Sequence, residues 1–194
     1  MIYEAVIITR NEDGSNQIAP LGYQEIDGFI VLSPFRPSTT LANLERTNQA
    51  VINLTDNVAV IAGCLTGHYE WPTVDAKEID GARLEDTLAH MELEVDHIEE
   101  NEVRPRFFCK IKHHENHKSY KGFNRAKSAV LEAAILTSRL HMLSDDKIDT
   151  EIQYLKISID KTAGNQELEA WGWLMDKIDS FREQLDKKEG RSKN

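Results

Sequence analysis

The residues best suited to chemistry stand close together in 33–56, SPFRPSTTLANLERTNQAVINLTD. Arg36 carries a planar guanidinium that matches the oxygens of a phosphate or carboxylate. Ser38, Thr39 and Thr40 follow with consecutive hydroxyls. Pro37 with Ser38 or Thr39 is a helix start, and Leu41 and Leu44, at i and i+3, give a helix over 38–48 an apolar side. The free amides and positive dipole end of such a helix would add donors at the same place. Asn43 lies one turn into that helix and Asn53 in the next apolar strand, 50–54, and either amide could reach the same pocket. These residue types in this order describe an anion site. The bland alternative is a capped helix that binds nothing, with Asn53 satisfying backbone groups, and the residues alone do not separate the two.

The other reactive side chains point to less. HHENH, 113–117, sets His114 and His117 three apart, on one face if the segment were helical, but it falls one residue short of HExxH. Glu115 is adjacent, yet no carboxylate at clear ligand spacing completes a site, so the expectation is no metal and a polar strand end. A histidine of this group lining a ligand pocket and gating protons stays open. Cys64 and Cys109 form no CxxC pair, which argues against a disulfide framework or a cysteine zinc site and for reduced thiols. Arg125, Glu132 and Arg139 recur every seven residues on one helix face, either as a salt-bridged face or, with Lys121 and Arg125, as contacts to a ligand or partner chain. Trp171 and Trp173 divide into one core and one surface or interface residue. Asp145, Asp146 and Asp149 suit the start of a helix. No GxGxxG fingerprint is present, so a nicotinamide partner is not encoded recognisably.

These side chains need elements to hold them. Residues 3–9 are β-branched, Asp13-Gly14 turns the chain, 16–23 returns, and Asp27-Gly28 turns it again into 29–33, which predicts an antiparallel meander. The runs 50–54 and 58–62 read as strands. Residues 66–84 hold Gly67, Pro72 and Gly81 without a sustained period and read as loop with room for one short helix. In 90–98, Met91, Leu93 and Val95 alternate with Glu92, Glu94 and Asp96, a half-buried strand with its acidic face in water. Residues 106–112 form its hairpin partner. After Tyr120 the period changes to helical: Asn124 caps a helix carrying Ala129, Val130, Ala133, Leu136, Leu140 and Leu143. A second helix carries Ile148, Ile152, Leu155 and Ile159, and a third, after Gly164, carries Trp171, Leu174, Ile178 and Phe181. The charged tail from Lys187 is expected to fray. The division is therefore a β-rich part, 1–118, and a helical part, 119–194.

Composition bounds the partners. The chain has 194 residues, 40% apolar, and a net charge of -10, which opposes docking on nucleic acid or an anionic membrane. A small anionic ligand needs only a few local donors. MIYEAVIITRNEDG reads as a strand and not as a signal peptide. No run approaches the roughly 20 apolar residues of a membrane span, so a cytoplasmic protein is expected.

The stretch from Arg36 through Ser38, Thr39, Thr40 and Asn43 to Asn53 resembles the phosphate-binding segment of the flavin reductase-like, FMN-binding split-barrel superfamily. NQIAPLGY, upstream, resembles the strand of that superfamily that passes beside the isoalloxazine ring. FNRAKSAVLEAAILTSRL is similar to the C-terminal motif of one uncharacterised branch, found in methanogens and in bacteria with tetrahydromethanopterin-linked C1 metabolism. What the resemblance implies is an α+β protein, an antiparallel split β-barrel followed by a small C-terminal helical domain. It implies a homodimer with FMN at or near the interface. Arg36, Pro37, Ser38, Thr39 and Thr40 would surround the phosphate, Asn43 and Asn53 would orient the loop or the ribityl chain, and the backbone of Ala19, Pro20 and Leu21 would face the ring. An oxidoreductase or electron-transfer protein with an unknown electron donor or acceptor follows. A non-catalytic flavin- or pterin-binding carrier or sensor, or a dimeric scaffold, is the alternative.

Overall fold

Alternation in the first half closes into a barrel. The computed structural model describes residues 1–192; residues 193 and 194, the end of the charged tail, lie outside the described residues. The strands are β1 (Tyr3–Arg10), β2 (Asn16–Ile26), β3 (Phe29–Leu32), β4 (Gln49–Leu54), β5 (Thr73–Asp75), β6 (Ala82–Leu84), β7 (Ala89–Glu99) and β8 (Arg106–Asn116). All pairings are antiparallel, and the order β1-β2-β3-β8-β7-β4 closes on itself, with β5 and β6 as a separate hairpin. Both expected turns are present. Gly14 has φ 83°, while Asp27 and Gly28 have φ 50° and 83°, the pair of positive values that suits a two-residue hairpin.

Every second residue of these strands fills the barrel. Ala5 and Ile7, Tyr23, Ile30 and Leu32, Ala50 and Ile52, Met91 and Leu93, and Phe107 and Cys109 form one buried cluster. Leu41 and Leu44 belong to it as well. They come from α1 (Thr39–Thr47), whose start Ser38 caps by accepting from the Leu41 amide at 3.2 Å and whose end is Asn48 in the left-handed region.

The outer face of β4 and β7 is not left to water. Asn53 Oδ1 accepts from the Leu84 amide at 2.7 Å. Both oxygens of Glu92 accept backbone amides, from Lys77 and Glu78, each at 2.7 Å. A Cβ at Gly81 would come within 3.3 Å of Val51 Cγ2, so this hairpin lies close against the barrel. The acidic face expected in water therefore begins only at Glu94, because Glu92 is 0% exposed.

One expectation for the middle of the chain fails and another is refined. Residues 58–62 are not a strand but the first part of α2 (Val58–Thr66). Asn57 Oδ1 accepts from the Ala59 amide, and Gly67, with φ 95°, ends the helix. A short, wholly apolar run carries no period that distinguishes strand from buried helix; the Asn and Gly at its ends do. Within 67–84 the structure has the β5–β6 hairpin and no helix.

The chain divides into two compact units. One holds 1–56 and 70–120; the other holds 57–69 and 121–194. The chain passes from the first unit to the second at 56/57, returns at 69/70, and passes again at 120/121. In the second unit, α2 packs on α3 (Arg125–Thr137) and α5 (Asn165–Ser192), and α3 packs on α4 (Asp145–Thr162). Leu136, Leu140, Ile148 and Ile178 form its buried cluster. Asn124 caps α3 as expected, accepting from Ala126 and Lys127. Arg182 reaches Asp145 at 3.1 Å and Asp149 at 2.7 Å, binding the start of α4 to α5. Trp171 is buried, and the half-buried Trp173 stacks on His68 at 4.0 Å. Arg125, Glu132 and Arg139 are exposed. α5 continues to Ser192.

Glu92 makes stability depend on acid. Burial alone would raise its carboxyl, but the Lys77 and Glu78 amides and His90 outweigh burial and hold it below the ordinary 4.5. His90 is held below 6.5, chiefly by burial. In both cases the unfolded chain takes up protons first, so stability is fully present near neutrality and falls with pH, first below 6.5 and then below 4.5. Urea midpoints measured across that range should decline. Glu92→Gln should cost about 1–3 kcal/mol at neutral pH, because its amide nitrogen cannot accept a backbone N–H, and should flatten the most acidic part of the decline.

Candidate functional site

The loop before α1 and the free half of β2 form the first site, both within the barrel unit. The loop is fastened by residues that sequence reasoning missed. Arg104 donates through Nε and a terminal nitrogen to the Ser33 carbonyl, at 3.0 and 2.8 Å, and lies over the Phe35 ring at 4.2 Å. The Arg36 amide donates to the Val103 carbonyl at 2.9 Å. Arg36 and Pro37 are exposed and joined by a cis peptide bond.

The donors cluster at the helix start. The amides of Thr39 and Thr40 open α1, where no intrahelical acceptor is available to them. Thr39 is exposed, Ser38 half-buried and Thr40 buried. The Arg36 guanidinium lies 3.1 Å from Glu45 and 3.6 Å from Glu100, and its side chain is 40% exposed. Exposed ion pairs of this kind contribute about 0–1 kcal/mol, so Arg36 exchanges them readily for a stronger anion.

Asn43 and Asn53 sit deeper. Asn43 Nδ2 donates to Thr9 Oγ1 at 3.1 Å and to Asn11 Oδ1 at 2.8 Å, tying α1 to the end of β1. Asn53 is fully buried; its amide donates to the Val6 carbonyl at 3.2 Å and accepts from Leu84. Both are clamps that set where α1 and the hairpin stand.

Ala19, Pro20 and Leu21 pair with Ile7, Val6 and Ala5 of β1 on one side. On the other, β3 pairs only with 23–26. Among the described strands none pairs with 16–22 on that side; the alternation of the ladder turns the amides and carbonyls of Ala19 and Leu21 toward β1, and the Pro20 carbonyl and the Gly22 backbone toward the open side.

A second constellation was not foreseen. His90 and Glu92 share the outer face of β7, and His113 and Glu115 that of β8, in a register that sets Glu92 opposite His113 and His90 opposite Glu115. His117 follows just beyond the strand. His90 Nε2 lies 3.1 Å from Glu92 Oε1, and His90 Nδ1 lies 2.8 Å from His117 Nε2. Glu115 Oε2 lies 2.8 Å from Lys77 Nζ and 3.6 Å from His113 Nε2. Lys77 above all, and then His113 and His117, hold the Glu115 carboxyl down at about 2. The segment 113–117 is extended, not helical, so His114 faces away from this group while His113, Glu115 and His117 align. The signal was present as H-x-E at 90–92 and H-x-E-x-H at 113–117, read at period two.

Comparison with known proteins decides the family. Residues 3–118 match the family model described as "Protein of unknown function (DUF447) N-terminal domain", and residues 124–176 match that described as "Protein of unknown function (DUF447)". The chain belongs to the DUF447 family. A solved DUF447 protein from Methanosarcina mazei, described as FMN-bound, superposes with a TM-score of 0.77 at 18% identity, over 91% of this chain and 94% of that one. Component B of nitrilotriacetate monooxygenase from Bacillus cereus gives 0.52 at 14% identity, over 64% of this chain and 75% of that one. The 2-nitrobenzoate 2-nitroreductase of Pseudomonas fluorescens gives 0.50 at 19% identity, over 59% and 64%. No curated protein matches the chain. The fold expected of the family is thus present: α+β, a split barrel followed by helices. Among the described residues no helix is long and apolar enough to cross a membrane.

Asn43 provides a test of the clamp. Asn43→Ala should lower stability by about 1–3 kcal/mol, and Asn43→Asp by more, because a carboxylate there would face two oxygen acceptors. Urea unfolding of the two variants checks the order.

Proposed function

We propose that this DUF447 protein binds FMN and serves as an oxidoreductase or electron-transfer protein. The observation that carries this reading is the near full-length likeness to the FMN-bound Methanosarcina mazei protein, taken together with the donor set at the start of α1. That set fits a phosphate dianion. Arg36 would hold it by paired hydrogen bonds, the Thr39 and Thr40 amides would meet it at the positive end of the helix, and the Ser38 and Thr39 hydroxyls would complete its shell. Pro37 shapes the loop between them. Asn43 and Asn53 act as positioning residues through the contacts already described. The backbone of Ala19, Pro20 and Leu21 would face the ring, with the Pro20 carbonyl on the side of β2 that β3 leaves open. When bound, the flavin supplies the redox chemistry, and the protein supplies position, water exclusion and electrostatics.

A homodimer with the flavin at or near the interface accords with the superfamily resemblance, as does a C1-linked electron partner. The neighbouring monooxygenase component and nitroreductase favour a redox role over a carrier or scaffold.

Protein purified without added cofactor should be yellow or should become so with FMN; colourless protein that FMN cannot reconstitute overturns the reading. Arg36→Ala should weaken FMN binding by about 1.5–3 kcal/mol, followed by quenching of flavin fluorescence. NADH or NADPH oxidation by the loaded protein distinguishes the reductase from the carrier.

A further inference from the structure

We propose that His90, His113 and Glu115 bind a divalent transition-metal ion on the outer face of the barrel, beside His117. This goes beyond the flavin reading and does not depend on it. One ligand atom from each of His90, His113 and Glu115 lies within 4.8 Å of the others. That spacing suits a common ion with metal–ligand bonds of about 2.0–2.2 Å, after small rotations of the side chains.

The hydrogen bonds fix which atoms are available. Glu92 is an ionised carboxylate already accepting the Lys77 and Glu78 amides, so His90 Nε2 must donate to it. The proton on Nε2 leaves Nδ1 as an acceptor, which takes the His117 Nε2–H at 2.8 Å and would exchange it for the ion. A carboxylate bound to the far nitrogen of an imidazole is the arrangement that orients histidine ligands in metal sites. His113 Nε2 supplies the independent observation: it is buried and has no hydrogen-bond partner. A buried nitrogen without a partner costs stability unless something fills its lone pair. Glu115 Oε2, 3.6 Å from it, is too far for a hydrogen bond but at the separation of two ligands sharing an ion.

Charge favours a cation. Two carboxylates, Glu92 and Glu115, face the group, and the Lys77 ammonium rests on Glu115. Lys77 is 56% exposed and can swing into water when an ion replaces it. Arg83 is occupied by the Leu84 and Glu85 carbonyls. Imidazole and carboxylate donors select zinc-like ions over magnesium or calcium.

The test uses the full chain, stripped with a chelator and titrated with Zn²⁺ by calorimetry and by NMR of the histidine ring protons. The wild type should bind zinc, with shifts confined to His90, His113 and His117 and absent from His68, His97, His114 and His141. His113→Ala should bind at least about tenfold more weakly, and Lys77→Ala as tightly or more tightly. Circular dichroism establishes that each variant is folded; should His113→Ala fail, Glu115→Gln takes its place with the same expected loss. No zinc uptake by the wild type, shifts at the other histidines instead, or undiminished binding by the folded variant would each overturn the site. Flavin content is scored separately, so failure here leaves the FMN reading untouched.

Discussion

A carboxylate buried with no lysine or arginine partner among the described residues organises one side of this barrel. Glu92 is tolerated because each of its oxygens meets a backbone amide and one also meets His90. Those amides belong to the loop that joins β5 to β6. The cost of burying the charge and the need to satisfy the loop backbone are thus met by the same bonds. Asn53 makes the same arrangement one strand away, through Leu84. Polar side chains, and not apolar contacts alone, attach the β5–β6 hairpin to the barrel.

The start of α1 depends on a different force. Leu41 and Leu44 are part of the barrel core, so the hydrophobic effect fixes the helix on one side. Asn43 fixes it on another through Thr9 and Asn11. The helix N-terminus is thereby held rigidly at the surface, with the 33–37 loop tied to the 101–104 turn by Arg104. A phosphate-sized ligand would meet donors that need little reordering, which is what favours binding.

The strands of the barrel were legible because alternation and Asp-Gly turns agree with one another there. The cap and length of α1 were legible for the same reason: Ser38 and Asn48 mark the ends that Leu41 and Leu44 imply. Val58 to Ala62 was misread because an all-apolar run fits either conformation, and Glu92 because alternation with Glu94 and Asp96 says nothing about a hairpin folding over its face. Asn43 and Asn53 have the chemistry of ligand donors, but burial has turned their amides to the backbone and to neighbouring side chains. The histidine group depends on a strand pairing across more than twenty positions of sequence (His90 with Glu115) that no local pattern announces.

The path of the chain after β4 has a further consequence. Residues 57–69 leave the barrel unit, build α2 into the helical unit, and return at 70. Val58 through Gly63 are all buried. A break after Tyr120 would therefore not release two independent modules; it would strip α2 of α3 and α5 and leave an apolar helix without cover. The helical unit is not an appendage joined at one end of the sequence but takes one of its helices from between two strands of the barrel.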